Sequence, residues 1–136
     1  MTHVHLVTLL VDDYDEAIAF FTNVLQFDLV EDTVMAANDG SIKRWVVVRA
    51  PGAETGLLLA RATTPSQNAA LGHQTGDRVG FFLHVDSFDT TYARLASAGV
   101  AFLSEPRHEP YGTVVVFIDP YGNRWDLIEP TRSPSA

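Results

Sequence analysis

The segment DPYGNRWDLIE (119–129) places an acidic side chain inside a run that otherwise predicts a β-strand. Asp126 stands between Trp125 and Leu127, and a carboxylate in a strand interior is costly unless it is paired, hydrogen-bonded or bound to a metal. Two interpretations stay open. Asp126 is satisfied locally, by Arg124, a backbone amide or a tyrosine hydroxyl, or it is a functional acid whose pKa is set by burial.

Three of the five histidines are candidates for acid–base chemistry or metal binding. His84 ends a predicted strand, where it is either a hydrogen-bonded residue at the rim of a site or a catalytic base. His5 is interpreted as structural or exposed, and His73 lies in a polar connector. A Zn²⁺, Fe²⁺ or Ni²⁺ site needs three or more converging protein ligands. A triad of His5, His84 and Asp126 is conceivable but has little support in the spacing.

Two aromatic residues are candidates for the wall of a binding site. Trp45 begins the strand-like run WVVV, where it either packs under a helix or offers a stacking surface to a planar or cationic ligand. Phe82 is predicted to share a sheet face with Gly80, whose missing side chain either widens the site or marks a bulge or a close backbone approach. Trp125 is predicted to face the opposite side, in the core.

The composition excludes several classes of function. The chain has no cysteine, which excludes disulfides, thiolate metal sites and cysteine nucleophiles. The formal charge of −8 disfavours nucleic-acid binding; it favours either solubility alone or attraction of cationic small molecules. We expect no membrane span and no signal peptide, and therefore a cytoplasmic protein. Nucleotide-binding, nucleophile-elbow and H-E-x-x-H motifs are absent from the sequence.

These candidates are positioned by elements that occur twice. The pattern Val-Asp-x-(Tyr/Phe)-Asp at 11–15 recurs at 85–89, each time after an apolar stretch and before a helix-like pattern. Each helix is followed by a short strand, at 27–31 and 100–105, and then by a β-hairpin with a Pro/Gly turn. The segment 104–112 is interpreted as a surface loop.

The repeat predicts one domain of class α+β that spans 1–136. It is built from two tandem βαβββ modules at 3–61 and 79–130, which are joined by a connector at 62–78. Aligning the two hairpins by their VVV runs, with one extra residue in the second turn, makes Leu57 the counterpart of Asp126.

The duplicated unit, the opening segment HLVTLLVDDYDEAIAFFTNVLQF (5–27) and the closing segment DPYGNRWDLIE resemble the vicinal oxygen chelate superfamily. That group includes glyoxalase I, the fosfomycin- and bleomycin-resistance proteins and the extradiol dioxygenases. The resemblance implies a cup-shaped mixed β-sheet around a ligand, often completed by a second subunit, so a homodimer is expected. It covers nearly the whole chain and indicates the fold more than the reaction.

The resemblance also implies where a metal would bind. Metal-using members take ligands from the first and last strands of each module, and the repeat places these positions at Leu6, Leu57, Gly80 and Asp126. Of the four, Asp126 alone can bind a metal through its side chain. No cofactor is expected, although a divalent metal bound through His5, His73 or His84 is not excluded. Glyoxalase I activity is disfavoured because it requires a metal.

The favoured hypothesis is a protein that binds a small organic molecule in a metal-independent cup. The predicted lining is Leu6, Thr8, Trp45, Leu57, Phe82, His84 and Asp126. The alternative is an enzyme, either a metal-dependent lyase, isomerase or dioxygenase with a non-standard ligand set, or a metal-free acid–base enzyme that uses Asp126 and His84. An interaction module whose cup is filled by side chains is a third hypothesis.

Overall fold

The computed structural model describes residues 1–132, and the chain divides into two compact units between Leu71 and Gly72. Each unit carries one mixed β-sheet with its own helices. Among the described residues, no helix reaches the length and hydrophobicity that crossing a bilayer requires.

The first unit contains a four-stranded sheet in the order β1-β4-β3-β2. Strands β1 and β4 are parallel, and the other two pairs are antiparallel. A π-helical turn, Phe20–Val24, extends the first helix. The elements are β1 (Leu6–Val11), α1 (Tyr14–Ala19), β2 (Asp28–Ala36), β3 (Ile42–Arg49), β4 (Gly56–Arg61) and α2 (Pro65–Ala70).

The second unit repeats this order with shorter outer strands. Its sheet runs β5-β9-β8-β6, and β7 also pairs with β8. The β5–β9 pair is parallel, like β1–β4 in the first unit. The elements are β5 (Val79–His84), α3 (Phe88–Ser97), β6 (Ala101–Phe102), β7 (Arg107–Glu109), β8 (Gly112–Ile118) and β9 (Arg124–Pro130).

Local sequence signals fix the ends of the helices. The Asp13 carboxylate accepts a hydrogen bond from the Glu16 backbone N at 2.8 Å, which caps α1. The Ser87 hydroxyl accepts one from Thr90 N at 3.3 Å and caps α3. Gly99 follows α3 with a φ of +81°, a conformation that a glycine adopts at low cost. By residue type, Asp12 or Asp13 and Asp86 or Ser87 could cap these helices and Gly99 could end α3; the caps in the structure are Asp13 and Ser87.

One side of each sheet is buried against helices. In the first unit Leu9, Val46 and Leu59 are fully buried, and they occupy paired positions on three neighbouring strands. In the second unit Val115 and Leu127 are paired and fully buried in the same way. Burying each such side chain contributes about 1.5–3 kcal/mol, so these positions determine which face of each strand is left for a site.

Asp119 organises the turn between β8 and β9. Its carboxylate is 4% exposed and accepts from Tyr121 N (2.9 Å), Asn123 N (3.0 Å), Asn123 Nδ2 (2.8 Å) and Trp125 Nε1 (3.0 Å). Trp125 is 3% exposed and stacks on Phe81 and Phe117 at centroid distances of 4.4 and 5.7 Å. Its predicted core position is confirmed. The D-P-x-G-N segment is therefore a structural feature of the fold.

The strand pairing corrects the alignment of the two modules. Thr8 pairs with Leu58, and Phe82 pairs with Asp126, in the equivalent parallel ladders. The counterpart of Asp126 is therefore Leu58, and the alignment with Leu57 was wrong by one residue. The connection after β8 (119–123) is one residue shorter than the one after β3 (50–55), whereas the sequence alignment assumed the reverse.

Two further expectations about strands were wrong. The strand predicted at 27–31 continues to Ala36, because its second half pairs with β3 as far as Ala36 opposite Ile42. The segment 104–112 contains β7, which pairs with β8 from Arg107 opposite Val114 to Glu109 opposite Gly112. Its prolines lie outside the three paired residues, so they leave the ladder intact.

Candidate functional site

The sheet face opposite the helices carries the first group of candidate residues. Because Leu9 and Leu59 face the core, their neighbours Thr8 and Leu58 project from the other side. Trp45 precedes the buried Val46 on β3 and shares this face. Thr8, Trp45 and Leu58 thus stand together on three adjacent strands.

A groove of about 800 Å³ in the first unit includes these three residues in its lining, together with residues of the helix-covered side of the sheet such as Leu59 and Arg44. Its size is within the range of small-molecule sites. Its lining includes the apolar residues Leu10, Met35, Trp45, Leu58 and Ala60. Trp45 is half-buried, so part of its indole is accessible to a ligand.

Arg44 is held at the wall of the groove by two carboxylates. Its Nη1 lies 2.9 Å from Asp15 Oδ1, while Nη2 and Nε donate to Asp32 Oδ2 and Oδ1 at 2.7 and 3.0 Å. Its guanidinium also lies over the Tyr14 ring, 5.2 Å from the centroid. These hydrogen bonds raise the pKa of Arg44 and lower the pKa of Asp32. Arg44 is therefore a fixed, compensated cation.

Asp126 lies on the equivalent face of the second unit's sheet. It pairs with Phe82 on β5 and Val116 on β8. Its Oδ1 atom is buried and has no hydrogen-bond partner within residues 1–132. Burial raises the pKa of Asp126, and the positive charge of Arg107 opposes this shift. Within residues 1–132, neither Arg124 nor a tyrosine donates a hydrogen bond to Oδ1. Local hydrogen bonding, one of the two interpretations of Asp126, therefore does not hold for this atom.

Phe82 pairs with Asp126, His84 pairs with Ile128, and both side chains are exposed. Phe82 is 65% exposed, and His84 is exposed at the end of β5. His84 lies two residues beyond Phe82, roughly 7 Å further along the strand. The side chain of His84 makes no hydrogen bond within residues 1–132, so its two interpretations, a rim residue and a catalytic base, both stay open.

Gly80 allows a close approach and does not open a site. It lies at an irregularity of the β5–β9 ladder, between Val79 and Phe81. A β-carbon added at Gly80 would meet Cγ2 and Oγ1 of Thr75, both at 3.1 Å. The space beside Gly80 is therefore filled by Thr75, as the bulge interpretation of this glycine requires.

The residues at the metal-ligand positions do not fit a metal ion. With the corrected register these positions hold Leu6, Leu58, Gly80 and Asp126, and a single carboxylate is too few donors. Within residues 1–132, no three His, Asp or Glu side chains are placed to hold a metal together. His5 and His73 are exposed.

The predicted site residues therefore fall into three groups. Thr8 and Trp45 line the groove of the first unit. Leu6 and Leu57 lie outside its lining, and Leu57 projects to the side of Leu59. The second unit carries Phe82, His84 and Asp126. Whether any of these residues contacts a ligand stays a prediction.

Of the residues that line the groove, sequence reasoning identified Thr8 and Trp45 and missed the others, among them Leu10, Lys43, Leu58 and Arg61. Alternation from Thr8 would have found Leu10, and alternation from Trp45 would have found Lys43. Leu58 was missed through the one-residue alignment error. Arg61 lies at the end of β4, where no pattern distinguishes a groove residue from a solvated one.

Comparison with known proteins gives the same fold assignment. A family model described as Glyoxalase/Bleomycin resistance protein/Dioxygenase superfamily matches residues 3–127. An uncharacterized protein of Shewanella frigidimarina (strain NCIMB 400) is 50% identical over 124 residues, which are 90% of each chain.

Two solved structures are similar over nearly their full lengths. TnmS3, an antibiotic binding protein from Streptomyces sp. CB03234, is 32% identical with a TM-score of 0.74, covering 96% of this chain and 98% of that one. UcmS2 is 30% identical with a TM-score of 0.77, covering 95% and 98%. The resemblance noted in the repeated segments and the α+β class with two βαβββ-like modules are confirmed.

Proposed function

The chain belongs to the glyoxalase/bleomycin resistance protein/dioxygenase superfamily, and from this premise we propose that it binds a small organic molecule without the help of a metal ion. The groove of the first unit is the proposed binding surface. The observation that carries the proposal is the half-buried Trp45 in a groove of about 800 Å³ whose lining combines apolar and polar side chains. Such sites combine apolar walls with a few polar groups that orient the ligand.

Trp45 is the proposed anchor. An indole on a sheet face offers a large flat area at little cost in side-chain entropy, and planar ligands stack on it. Thr8 and Leu58 lie on the neighbouring strands and would contact the ligand from below. The strand ladders fix the backbone positions of all three residues before binding, which reduces the entropy that ordering would cost.

The similarity to TnmS3 supports this class of function. TnmS3 is an antibiotic binding protein, and it is 32% identical to this chain over almost the whole length. An identity of this size supports a comparison of function as well as of fold. We infer that the ligand here belongs to the same broad class, a small organic molecule such as an antibiotic. Metal-dependent chemistry is not part of the proposal, because the donor positions hold Leu6, Leu58 and Gly80 beside Asp126.

The test is thermal unfolding of metal-stripped protein with a panel of ligands that includes glycopeptide and aromatic antibiotics. At least one compound is expected to raise the midpoint, and Trp45→Ala is expected to remove that shift. Tyr111→Ala, which truncates an aromatic residue exposed to 53% in the second unit, serves as the control and is expected to keep it. No shift with any compound, in protein that unfolds cooperatively, would contradict the proposal.

A second candidate is a metal-free enzyme in which Asp126 is the acid or base and His84 its partner. The observation that favours it is the buried, unpartnered Oδ1 of Asp126 together with its raised pKa. Asp126→Asn and His84→Gln would then each abolish turnover of a substrate found by screening, although both variants unfold cooperatively and are therefore folded. Turnover that survives both substitutions would contradict this candidate, and stoichiometric metal lost in Asp126→Ala would favour a metal enzyme instead.

A further inference from the structure

The β2–β3 hairpin extends beyond the part of the sheet that β4 supports. Strand β3 begins at Ile42, but it pairs with β4 only from Val46 to Val48. The pairing of β2 with β3 continues past this point, as far as Ala36 opposite Ile42. Residues 34–44 therefore form a ladder with each other and not with β4. We call residues 34–44 the hairpin arm.

The groove lies where β3 separates from β4. The Val46–Leu59 pair is the last one between these strands, and beyond it the groove is lined from both sides, by Trp45 on β3 and Ala60 on β4. Nine of the twenty lining residues belong to the hairpin arm. A change in the position of the hairpin arm therefore changes the width of the groove.

Little buried surface holds the hairpin arm in place. Val34 and Ile42 share the face of Arg44, which is the face turned towards α1, yet they are 70% and 67% exposed. Every residue of β2 is exposed as well. Segments that bury few apolar contacts open at a low free-energy cost. The hairpin arm is therefore among the parts of the first unit that open most easily.

Arg44 fastens the hairpin arm to α1. Its Nη1 donates to Asp15 Oδ1 at 2.9 Å, and its backbone N donates to the Tyr14 hydroxyl at 3.4 Å. Within residues 1–132 the hairpin arm makes no other hydrogen bond to a helix. The Asp15 side chain is 82% exposed, and ion pairs exposed in this way stabilise a structure only weakly. We call these contacts of Arg44 with Asp15 and Tyr14 the latch.

The second carboxylate on Arg44 has a different role. Asp32 lies on the hairpin itself, opposite Val46, and accepts from Arg44 Nη2 and Nε at 2.7 and 3.0 Å. Its side chain is 29% exposed, so this two-bond contact is better shielded than the single bond to Asp15. When the latch opens, Arg44 therefore stays with Asp32 and moves with the hairpin.

We propose that the hairpin arm is a flap of the groove, which pivots beside the Val46–Leu59 pair and is held closed against α1 by the latch. Opening widens the gap between β3 and β4 and admits a ligand, and closing excludes water from it. Trp45 lies at the pivot, so its backbone keeps its place while the cover of its indole changes. The inference rests on the proposed function, since it describes how access to the same groove is controlled.

The first experiment measures the distance between the tip of the hairpin arm and α2. Because the chain has no cysteine, spin labels attach only at Asn38→Cys and Ser66→Cys, two exposed positions on these segments. Pulsed electron spin resonance on the full chain then gives the distribution of distances between the labels. Asp15→Ala is expected to raise the population at long distance about threefold, the effect expected from the loss of one exposed ion pair.

Glu16→Ala is the matched control. It removes the same charge from the same first turn of α1, and Glu16 forms no ion pair within residues 1–132. It is expected to keep the distance distribution of the wild type. Added sodium chloride screens exposed charges, so it should raise the population at long distance in the wild type and have little effect in Asp15→Ala. Unfolding midpoints show whether each variant is folded.

The second experiment measures access to the groove with acrylamide, a small neutral molecule that quenches tryptophan fluorescence on collision. Trp45 lines the groove, whereas Trp125 is 3% exposed and contributes a background that Trp45→Phe measures. After this background is subtracted, the quenching constant of Trp45 is expected to be larger in Asp15→Ala than in the wild type or in Glu16→Ala.

The outcomes separate the flap from the proposed function. Unchanged distances and unchanged quenching in folded Asp15→Ala would overturn the flap. An equal change in Glu16→Ala would overturn the latch, because it would assign the effect to α1 as a whole. Neither result bears on ligand binding, since neither measurement uses a ligand. A hairpin arm that moves as expected, in a protein that no compound of the panel stabilises, would instead count against the proposed function.

Discussion

Leu58 on β4 and Asp126 on β9 occupy the same position in two copies of one structural unit. Each lies opposite the parallel first strand, at Thr8 or Phe82, and opposite a valine of the antiparallel neighbour, Val47 or Val116. The first copy places a leucine at the edge of a groove, and the second places a carboxylate with a buried oxygen that has no partner within the described residues.

The difference shows that the duplicated fold fixes the position of a side chain and leaves its chemistry free to change. The core-facing neighbours Leu59 and Leu127 are both leucines and both fully buried. Burial against the helices restricts that face, since a polar group there would lose its hydration. The other face lacks this restriction and therefore carries Trp45 and Leu58 in one unit and Phe82 and Asp126 in the other.

The largest effect on the free energy of unfolding is expected in the turns that precede β4 and β9, which are built differently in the two units. Asp119→Ala removes the acceptor of four hydrogen bonds and leaves buried donors unsatisfied, so it should lower the free energy of unfolding by about 3 kcal/mol. The turn of the first unit is closed by a backbone bond, from Ala53 N to Ala50 O at 3.0 Å. Pro51→Ala there should cost about 0.4–1 kcal/mol. Urea unfolding measures both, and equal losses would show that the Asp119 bonds add little.

Exchanging the residues at the equivalent positions should give effects of opposite sign. Asp126→Leu removes a carboxylate whose buried oxygen is unpaired, and it should raise the free energy of unfolding by about 1 kcal/mol. Leu58→Asp places a charge in a partly buried apolar setting and should lower it by about 1–3 kcal/mol. Chemical denaturation of the two variants and the wild type provides the comparison. Destabilisation by both changes would mean that Asp126 has a partner that stabilises it.

The smallest effect is expected in the pH dependence of stability. Because burial raises the pKa of Asp126 in the folded state, the folded protein binds this proton more tightly than the unfolded chain does. Stability from this group is present below its ordinary pKa and is lost as the pH rises through the raised folded value. Asp126→Asn should therefore be more stable than wild type at neutral pH, with a difference that disappears towards pH 3.

Thermal unfolding of the wild type and of Asp126→Asn at matched pH values checks this prediction. The difference in stability between the two proteins at each pH isolates Asp126, because the contributions of the other acidic residues cancel. Asp39 provides a control in which the pH dependence of stability has the opposite sign. Hydrogen bonds from Ser41 lower the pKa of Asp39, so its contribution to stability is lost as the pH falls. A stability difference between wild type and Asp126→Asn that grows as the pH falls would contradict the assignment.

The sequence was sufficient for the fold because its signals are local and occur twice. The caps at Asp13 and Ser87, the stop at Gly99 and the Pro/Gly turns each follow from residue type. The register was not determined, because the run Val46–Val48 is apolar at every position and shows no alternation from which to assign a face. All three valines are in fact buried.

The site was predicted less well because its contacts join residues far apart in the chain. Asp15, Asp32 and Arg44 meet only after β2 and β3 have paired and α1 has packed beside them. Which cations remain unpaired, Arg61 and Lys43, follows from that arrangement and not from composition. Trp45 could be identified as a candidate because an aromatic residue at the start of a strand has few roles.

Tryptophan fluorescence provides the most direct test of metal-free binding at Trp45. The chain has two tryptophans, Trp45 in the groove and Trp125 in the core of the other unit. The compound with the largest thermal shift is titrated into wild type and Trp45→Phe in the presence of EDTA. The account predicts a saturable change in wild-type emission that is absent in Trp45→Phe. An unchanged saturable response in Trp45→Phe, or binding that appears only after a divalent metal is added, would contradict it.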